Sequence, residues 1–339
     1  MGHRLKWVLA PLLLSAALGA AEDRLAVLEL FGRPGCGNCE AAGRAMTALQ
    51  SEMGGRAILL GYDVDSFRVG RLDRFLASEP TAEYLPLVMV GSGYRTSSGA
   101  VDYEAVYRSM INEELARPPR AAVFAYWRRV GDAMRTYVEV RNLGATDLEL
   151  DREAAIWLII YENTSIGVSS TWVIATGKRY LPYDLAPGET ATMIMETPPM
   201  PGIDWNQMIG LVLVEDRPDP VGAYDMAQAA EVLPADLSTE PDHLVMSPYR
   251  PTAEVVLKGP HVLSWSAASD VPWIEVTPSS GTVPTTVTLT LRPELRPPSE
   301  TEGSVSFTAT GDGMSFSTTV RVAAGAQVRR SGRRVRPVR

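Results

Sequence analysis

The pattern of apolar and polar positions changes character along the chain. The first third alternates continuous apolar runs, typical of strands buried on both faces of a sheet, with apolar residues at helical spacing. This order of strands and helices indicates a sheet with helices packed on it. The predicted elements are a strand at 25–31, a helix at about 36–53, a strand at 57–63, a helix at 69–78, a strand at 85–90 and a helix at 103–115.

Short alternating strands dominate the remainder. Two prolines in the segment Arg117-Pro118-Pro119-Arg120 end the first unit, and a second linker spans 234–241. The spacing of strands and turn residues after each linker is typical of β-sandwiches. The predicted strands are 136–142, 155–161, 190–196 and 208–215 in the second unit, and 287–291, 303–308 and 316–322 in the third.

The first 21 residues have the layout of a secretory signal peptide. His3, Arg4 and Lys6 form a basic start, an apolar run follows over 7–18, and small residues precede Glu22. The apolar run is shorter than the roughly 20 residues of a membrane-spanning helix. We therefore expect an exported protein, periplasmic or at the cell surface, with no transmembrane segment after cleavage.

Charge excludes one broad class of partner. The chain of 339 residues has a formal net charge of −8, which argues against binding to nucleic acid. Only residues 325–339 are densely basic, and we interpret them as a solvated, disordered tail, with contact to an anionic envelope surface as the alternative.

Cys36 and Cys39 are the only cysteines of the chain. Two thiols at this spacing can close a small ring, and either can attack a mixed disulfide made by the other. A purely structural role for the disulfide is less favoured, because closing a ring of about four residues stabilises the fold by only roughly 2 kcal/mol. A zinc site usually needs four ligands, and only His243 and His261 remain after the signal peptide. We therefore expect redox chemistry, with no metal and no cofactor.

The segment Leu30-Phe31-Gly32-Arg33-Pro34-Gly35-Cys36-Gly37-Asn38-Cys39 resembles the active site of the thioredoxin superfamily, and its Pro-Gly-Cys approach is closest to glutaredoxins. The segment Leu85-Pro86-Leu87-Val88 resembles the cis-proline segment of these folds. The resemblance covers about residues 24–117. It departs from the family in the Gly37-Asn38 loop, in the glycine before Cys36 and in Leu30, which stands where thioredoxins have a buried acid.

This resemblance implies a role for each residue. Cys36, at a helix N-terminus that favours an anion, would be the nucleophile, and the more buried Cys39 would resolve the mixed disulfide. A cis Pro86 would leave the preceding backbone free to pair with a substrate strand. Glu29 is a candidate proton relay, although strand alternation should point it to the opposite face.

The two following units also resemble known modules. Residues 120–233 are similar to immunoglobulin-like domains, and the segment Asp270-Val271-Pro272-Trp273-Ile274 within 243–324 resembles BACON domains, which are sometimes suggested to bind glycans. Trp265 and Trp273 could stack on sugars, but a tryptophan in a sandwich normally anchors the core. The second unit also contains candidates for an aromatic ligand platform, which we expect to be core instead: Tyr126, Trp127, Trp157, Trp172 and Trp205.

The sequence thus predicts a multidomain chain with an α/β thioredoxin-like domain plus two all-β immunoglobulin-like sandwiches. The predicted ranges are a signal peptide at 1–21, the thioredoxin-like domain at 22–118, the sandwiches at 120–233 and 243–324, and the tail at 325–339. The expected function is that of an exported thiol–disulfide oxidoreductase acting on protein disulfides with an unknown redox partner. The alternative is a non-catalytic surface or glycan-binding protein that uses the first domain as a scaffold.

Overall fold

The computed structural model describes residues 23–65, 70–78, 84–163, 171–218, 223–296 and 302–324. The predicted signal peptide and basic tail lie outside these ranges. The α-helices are α1 (Gly37–Met53), α2 (Gly70–Ser78) and α3 (Tyr103–Leu115). The strands are β1 (Ala26–Gly32), β2 (Ala57–Asp63), β3 (Leu87–Val90), β4 (Arg95–Ser98), β5 (Ala121–Val130), β6 (Ala133–Asn142), β7 (Ala155–Glu162), β8 (Trp172–Tyr180), β9 (Thr190–Glu196), β10 (Met208–Asp216), β11 (Asp225–Glu231), β12 (Leu233–Pro234), β13 (Ser238–Glu240), β14 (His243–Met246), β15 (Thr252–Lys258), β16 (Ser264–Ser269), β17 (Ile274–Thr277), β18 (Ser280–Thr282), β19 (Thr285–Leu291), β20 (Glu302–Gly311) and β21 (Met314–Ala324).

One eight-stranded sheet joins the first and second predicted units. Its strand order is β11-β10-β7-β8-β2-β1-β3-β4, and β1 runs parallel to β2 but antiparallel to β3. The junction is the parallel pair of β2 and β8, at which Gly61 is in register with Trp172. The Gly61 N–H donates to the Thr171 carbonyl at 3.0 Å. The edge of β2 is therefore occupied by a strand that lies more than one hundred residues further along the chain.

This arrangement corrects the predicted fold class, which was wrong. The helical first third does not form an evident thioredoxin-like α/β domain, because its strands continue into the sheet of the following unit. One apolar core on the α2 side of the sheet contains Phe31 and Tyr62 together with Trp157, Leu211 and Met226. The described chain is mostly β, and the predicted boundary at 118–120 falls between α3 and β5 rather than between two separate sheets.

Alternating residues of the eight-stranded sheet face different cores. Leu28 and Leu30 of β1 pack against α1 and α3, through residues such as Met46 and Ile111. The corresponding face of β7 and β10 packs against a four-stranded sheet of order β12-β5-β6-β9. The second unit is consequently a sandwich in which the eight-stranded sheet forms one layer and the four-stranded sheet forms the other.

Buried ion pairs also cross between the first two units. Arg24 donates from Nε to Glu114 Oε1 at 2.9 Å and from Nη2 to the Met226 carbonyl at 2.6 Å. Arg71 of the first unit binds Glu215 of the second unit at 2.6 Å. Burying charges is costly unless they are paired, so these contacts hold the units in one relative arrangement.

The remaining strands form two sheets that share a separate core. Their orders are β13-β15-β19-β17 and β14-β21-β20-β16-β18. Trp265 and Trp273 lie inside this core and are 3% and 0% exposed. Neither indole is available to stack on a sugar. In the part of the chain that the structure describes, no helix is long and apolar enough to cross a membrane.

Candidate functional site: the Cys36–Cys39 disulfide

The two cysteines lie at the point where β1 leaves the sheet and α1 begins. β1 ends at Gly32, and after a short turn Cys36 adopts extended backbone angles and caps the helix. The Cys36 sulfur accepts a hydrogen bond from the Cys39 backbone N–H at 3.2 Å. One of the free amides at the start of α1 is thus directed at this sulfur, and such amides and the helix dipole favour negative charge there.

Cys36 and Cys39 form a disulfide, with Cα atoms 5.2 Å apart. The two sulfurs differ in exposure, because Cys36 is partly exposed whereas Cys39 is fully buried. An external thiol or disulfide can therefore approach only one end of the bridge. This asymmetry suits a division into an attacking and a resolving thiol.

A small apolar cluster surrounds the bridge. Cys39 packs with Trp172, and the partly buried Leu85 and Ile174 complete the contact together with Cys36. Trp172 and Ile174 belong to β8, so the second unit contributes half of the wall. Sequence reasoning named Trp172 as a candidate for an aromatic platform and expected it to be core. It did not place this residue beside the cysteines, because the pairing of β8 with β2 has no local signal.

Pro86 lies next to this cluster. The Leu85–Pro86 peptide bond is cis, and Pro86 is buried. Its carbonyl accepts a hydrogen bond from the Gly99 N–H at 2.9 Å, which fixes the segment before β3. Leu85 touches the cysteine cluster, while Tyr84 before it is 70% exposed. Pairing of this segment with a substrate backbone stays a prediction.

Glu29 lies on the α2 side of the sheet, whereas Cys39 belongs to α1 on the other side. The carboxylate accepts hydrogen bonds from the Tyr62 hydroxyl at 2.7 Å and from Arg71 Nε at 2.8 Å. Burial and the neighbouring carboxylate raise the pKa of Tyr62 well above its ordinary value. Glu29 is therefore a buried ion-pair partner of Arg71. Among the described residues, no contact links it to the cysteines, so nothing supports the predicted role as a proton relay.

Other sequence candidates are dispersed. Trp157 belongs to the core beneath α2, Trp172 to the cysteine cluster, and Trp127 stacks on Trp205 at 6.0 Å between ring centroids. They do not form one platform. Within the described ranges, no group of three or more His, Cys, Asp or Glu residues could hold a metal ion.

Comparison with known proteins gives limited likeness. No protein-family model matches the sequence, and no curated protein sequence matches it. Among solved structures, the chain is similar to HBP35 of Porphyromonas gingivalis, with a TM-score of 0.44 and 12% identity over 89% of this chain and 99% of that chain. It is also similar to protein AGR_C_4864 of Agrobacterium tumefaciens, with a TM-score of 0.40 and 17% identity over 63% of this chain and 96% of that chain. Both likenesses are too weak to support a function, which has to be argued from the site.

Proposed function

We propose that the protein is a thiol–disulfide oxidoreductase that exchanges disulfides through Cys36 and Cys39. The observation that carries the proposal is the asymmetry of the bridge. Cys36 is accessible and caps a helix, whereas Cys39 is buried one turn into the same helix. A thiolate at a helix N-terminus is favoured, and the thiolate is the nucleophile in exchange.

The reaction balances as two successive exchanges. In the reduced protein, the Cys36 thiolate attacks a substrate disulfide, which forms a mixed disulfide and releases one substrate sulfur as a thiolate that takes up a proton. Cys39 then loses its proton and attacks the Cys36 sulfur, which closes the internal bridge and releases the second substrate thiol. Two electrons pass from the cysteine pair to the substrate, and the reverse sequence oxidises a dithiol. A further dithiol or disulfide protein must restore the starting state.

The packing around the bridge supports this division of roles. Because Cys39 is fully buried in a cluster with Trp172, its sulfur is closed to an external thiol in this conformation. The mixed disulfide should therefore form at Cys36 alone. Partly buried Leu85 offers apolar contact surface beside Cys36 for the polypeptide that carries the target disulfide, and the exposed Tyr84 precedes it in the chain.

Trapping of mixed disulfides tests the proposal. In Cys39→Ser, Cys36 should form adducts with a disulfide-containing model peptide, and these should persist because the resolving thiol is absent. The matched control is Cys36→Ser, in which buried Cys39 should form at least about tenfold fewer adducts. Mass spectrometry under non-reducing conditions reads both. Equal adduct yields from the two variants, or none from either, would overturn the proposal.

A further inference from the structure

A cleft separates the four-stranded sheet of the second unit from the C-terminal sandwich. On the outer face of that sheet, Phe124 is in register with Glu139, and Tyr126 is in register with Tyr137. These side chains line an inner chamber of about 30 Å³, which Val256 closes from the opposite side. This volume has room for about two groups the size of a water molecule or a methyl group.

A wider chamber continues from the inner one. It has a volume of about 370 Å³ and shares Glu139, His261 and Pro284 with the inner chamber. Its further lining includes Arg141 and the threonines at positions 190, 192 and 282. The inner end of the cleft is thus lined by aromatic rings, Glu139 lies where the two chambers meet, and the outer end is polar and includes Arg141.

Glu139 is the unusual residue of this cleft. It is 8% exposed, and its carboxylate has no hydrogen bond or ion pair among the residues that the structure describes. Buried carboxylates are normally paired, because removing a charge from water is costly. Desolvation raises the pKa of Glu139, and the charge of Arg141 only partly opposes this. The oxygens of Glu139 keep contact with solvent in the cleft, so a cation that enters from outside can reach a carboxylate that no neighbouring side chain in the described ranges pairs with.

The neighbouring cations do not pair with Glu139. Lys258 is ion-paired with Glu240, and burial lowers the pKa of His261, which leaves its imidazole neutral near pH 7. Arg141 follows Glu139 by two positions on the same strand face, which places their backbones roughly 7 Å apart. Arg141 acts on Glu139 through its charge alone, without a hydrogen bond between the two side chains.

We propose that this cleft binds a small zwitterion, with its alkylated ammonium group against Glu139 and the aromatic rings and its anionic group at Arg141. Aromatic rings and a carboxylate together recognise alkylated ammonium ions, which bring positive charge without needing hydrogen-bond acceptors. The inner chamber has room for one or two of the methyl groups, and Glu139, which lines both chambers, places the nitrogen where they meet. The wider chamber holds the rest of the ligand, with its anionic end at Arg141. The cleft lies apart from the cysteine pair, so this inference does not depend on the proposed redox function.

Titration calorimetry of the full chain with phosphocholine tests the inference. The matched probe is 3,3-dimethylbutyl phosphate, which has the same shape but carries carbon in place of the charged nitrogen. We expect phosphocholine to bind at least about tenfold more tightly than this neutral-headed probe. Equal affinities, or no binding of phosphocholine, would contradict the proposal.

Variants separate the two ends of the ligand. Glu139→Gln should weaken phosphocholine binding by about tenfold, whereas the distant Glu104→Gln should leave it unchanged.

Arg141→Gln should weaken phosphocholine binding but leave choline binding within about twofold. Tyr126→Leu, which removes the aromatic ring but keeps an apolar side chain, should also weaken binding of both cations. If Glu139→Gln binds like the unaltered chain, the ammonium site is wrong; if Arg141→Gln does so, the anionic arm is wrong. A Cys36→Ser/Cys39→Ser variant should bind normally, whatever the outcome of the redox tests.

Discussion

Cys39 and Trp172 share one apolar cluster although they lie 133 positions apart in the chain. Sulfur packs favourably against aromatic rings, so the indole and the bridge stabilise each other's position. The contact also gives the bridge an optical reporter, because a disulfide beside an indole quenches its emission by accepting an electron from the excited state. Cys36, at the exposed end of the bridge, is where an external reductant would react.

Reduction of the bridge should therefore increase tryptophan emission through Trp172. Adding dithiothreitol to the full chain should raise the emission, and the rise should disappear in Trp172→Phe. The matched control is Trp205→Phe, in which the increase should remain because that ring packs on Trp127 away from the cysteines. Steady-state fluorescence before and after reduction measures this. A rise that survives loss of Trp172 would show that the bridge lies elsewhere than described.

Helix α2 binds the sheet through buried charges as well as apolar side chains. Arg71 contacts Glu29 on β1 and Glu215 on β10, the latter at 2.6 Å. Burial alone would lower the pKa of Arg71, but the two carboxylates raise it well above its ordinary value. This arginine therefore joins strands from both predicted units, at the core where they merge.

Removing this guanidinium should destabilise the fold strongly. Arg71→Ala leaves the buried Glu29 without its cation and leaves Glu215 with Arg74 alone. Breaking a buried ion pair in this way typically costs about 3–5 kcal/mol. Arg108→Ala removes a solvent-exposed pair with Glu52 and should leave the urea midpoint nearly unchanged, because water screens such pairs. Urea unfolding of the two variants compares them directly. Similar midpoints would mean that the Arg71 pairs contribute little to stability.

Acid should weaken the attachment of α2 to the sheet, because Glu215 of β10 pairs with two arginines of this helix. Burial would raise the pKa of Glu215, but Arg71 and Arg74 lower it overall. Since its folded pKa is depressed, its contribution is present above the ordinary value of 4.5 and is lost as the pH falls through the lower folded value. Urea midpoints of the unaltered chain should therefore fall more steeply below about pH 4 than those of Glu215→Gln. Parallel pH profiles would contradict this assignment.

Local sequence patterns were sufficient to predict the positions of several helices and strands. The predicted helix at about 36–53 agrees with α1 to within one residue, because its buried Ala42, Met46 and Leu49 recur at helical spacing, and the bounds of α3 were predicted correctly. β4 was missed because its four residues, Arg-Thr-Ser-Ser, lack apolar alternation at an exposed sheet edge. The pairing of Gly61 with Trp172 has no local signal at all, and that pairing decides the fold class. The cysteine site was found because its spacing carries chemistry, whereas its Trp172 wall depends on long-range topology.

At the scale of the whole molecule, one residue of the β20–β21 turn connects the C-terminal sandwich to the second unit. Asp312 accepts hydrogen bonds from Arg128 at 3.0 Å and from the Tyr137 hydroxyl, and it pairs with Arg135 at 3.3 Å. These donors lower the pKa of Asp312 to about 2, with the Tyr137 and Arg128 hydrogen bonds as the main causes. The same contacts hold one side of the cleft at Glu139.

Asp312→Asn should loosen the C-terminal sandwich without unfolding it. Asparagine tolerates the left-handed backbone at this position, where φ is 44°, but it lacks the charge that binds the two arginines. Amide hydrogen exchange should rise along β5 and β6, while Asp132→Asn, in an exposed pair with Arg129, should leave it unchanged. The contribution of Asp312 is present above its ordinary pKa of 3.8 and is lost as the pH falls through about 2, so the unaltered chain should show the same exchange increase only in strong acid. If amide hydrogen exchange is unchanged in Asp312→Asn, Asp312 does not connect the two units.

Disulfide exchange by the Cys36–Cys39 pair is tested most directly by the rate at which the reduced chain reduces a model peptide disulfide. We predict a second-order rate constant at least about tenfold above that of dithiothreitol at equal thiol concentration and neutral pH, because the helix N-terminus keeps more Cys36 as thiolate. One peptide disulfide should be reduced for each chain that is oxidised. A rate at or below that of dithiothreitol, or a rate unchanged by Cys36→Ser, would contradict the account.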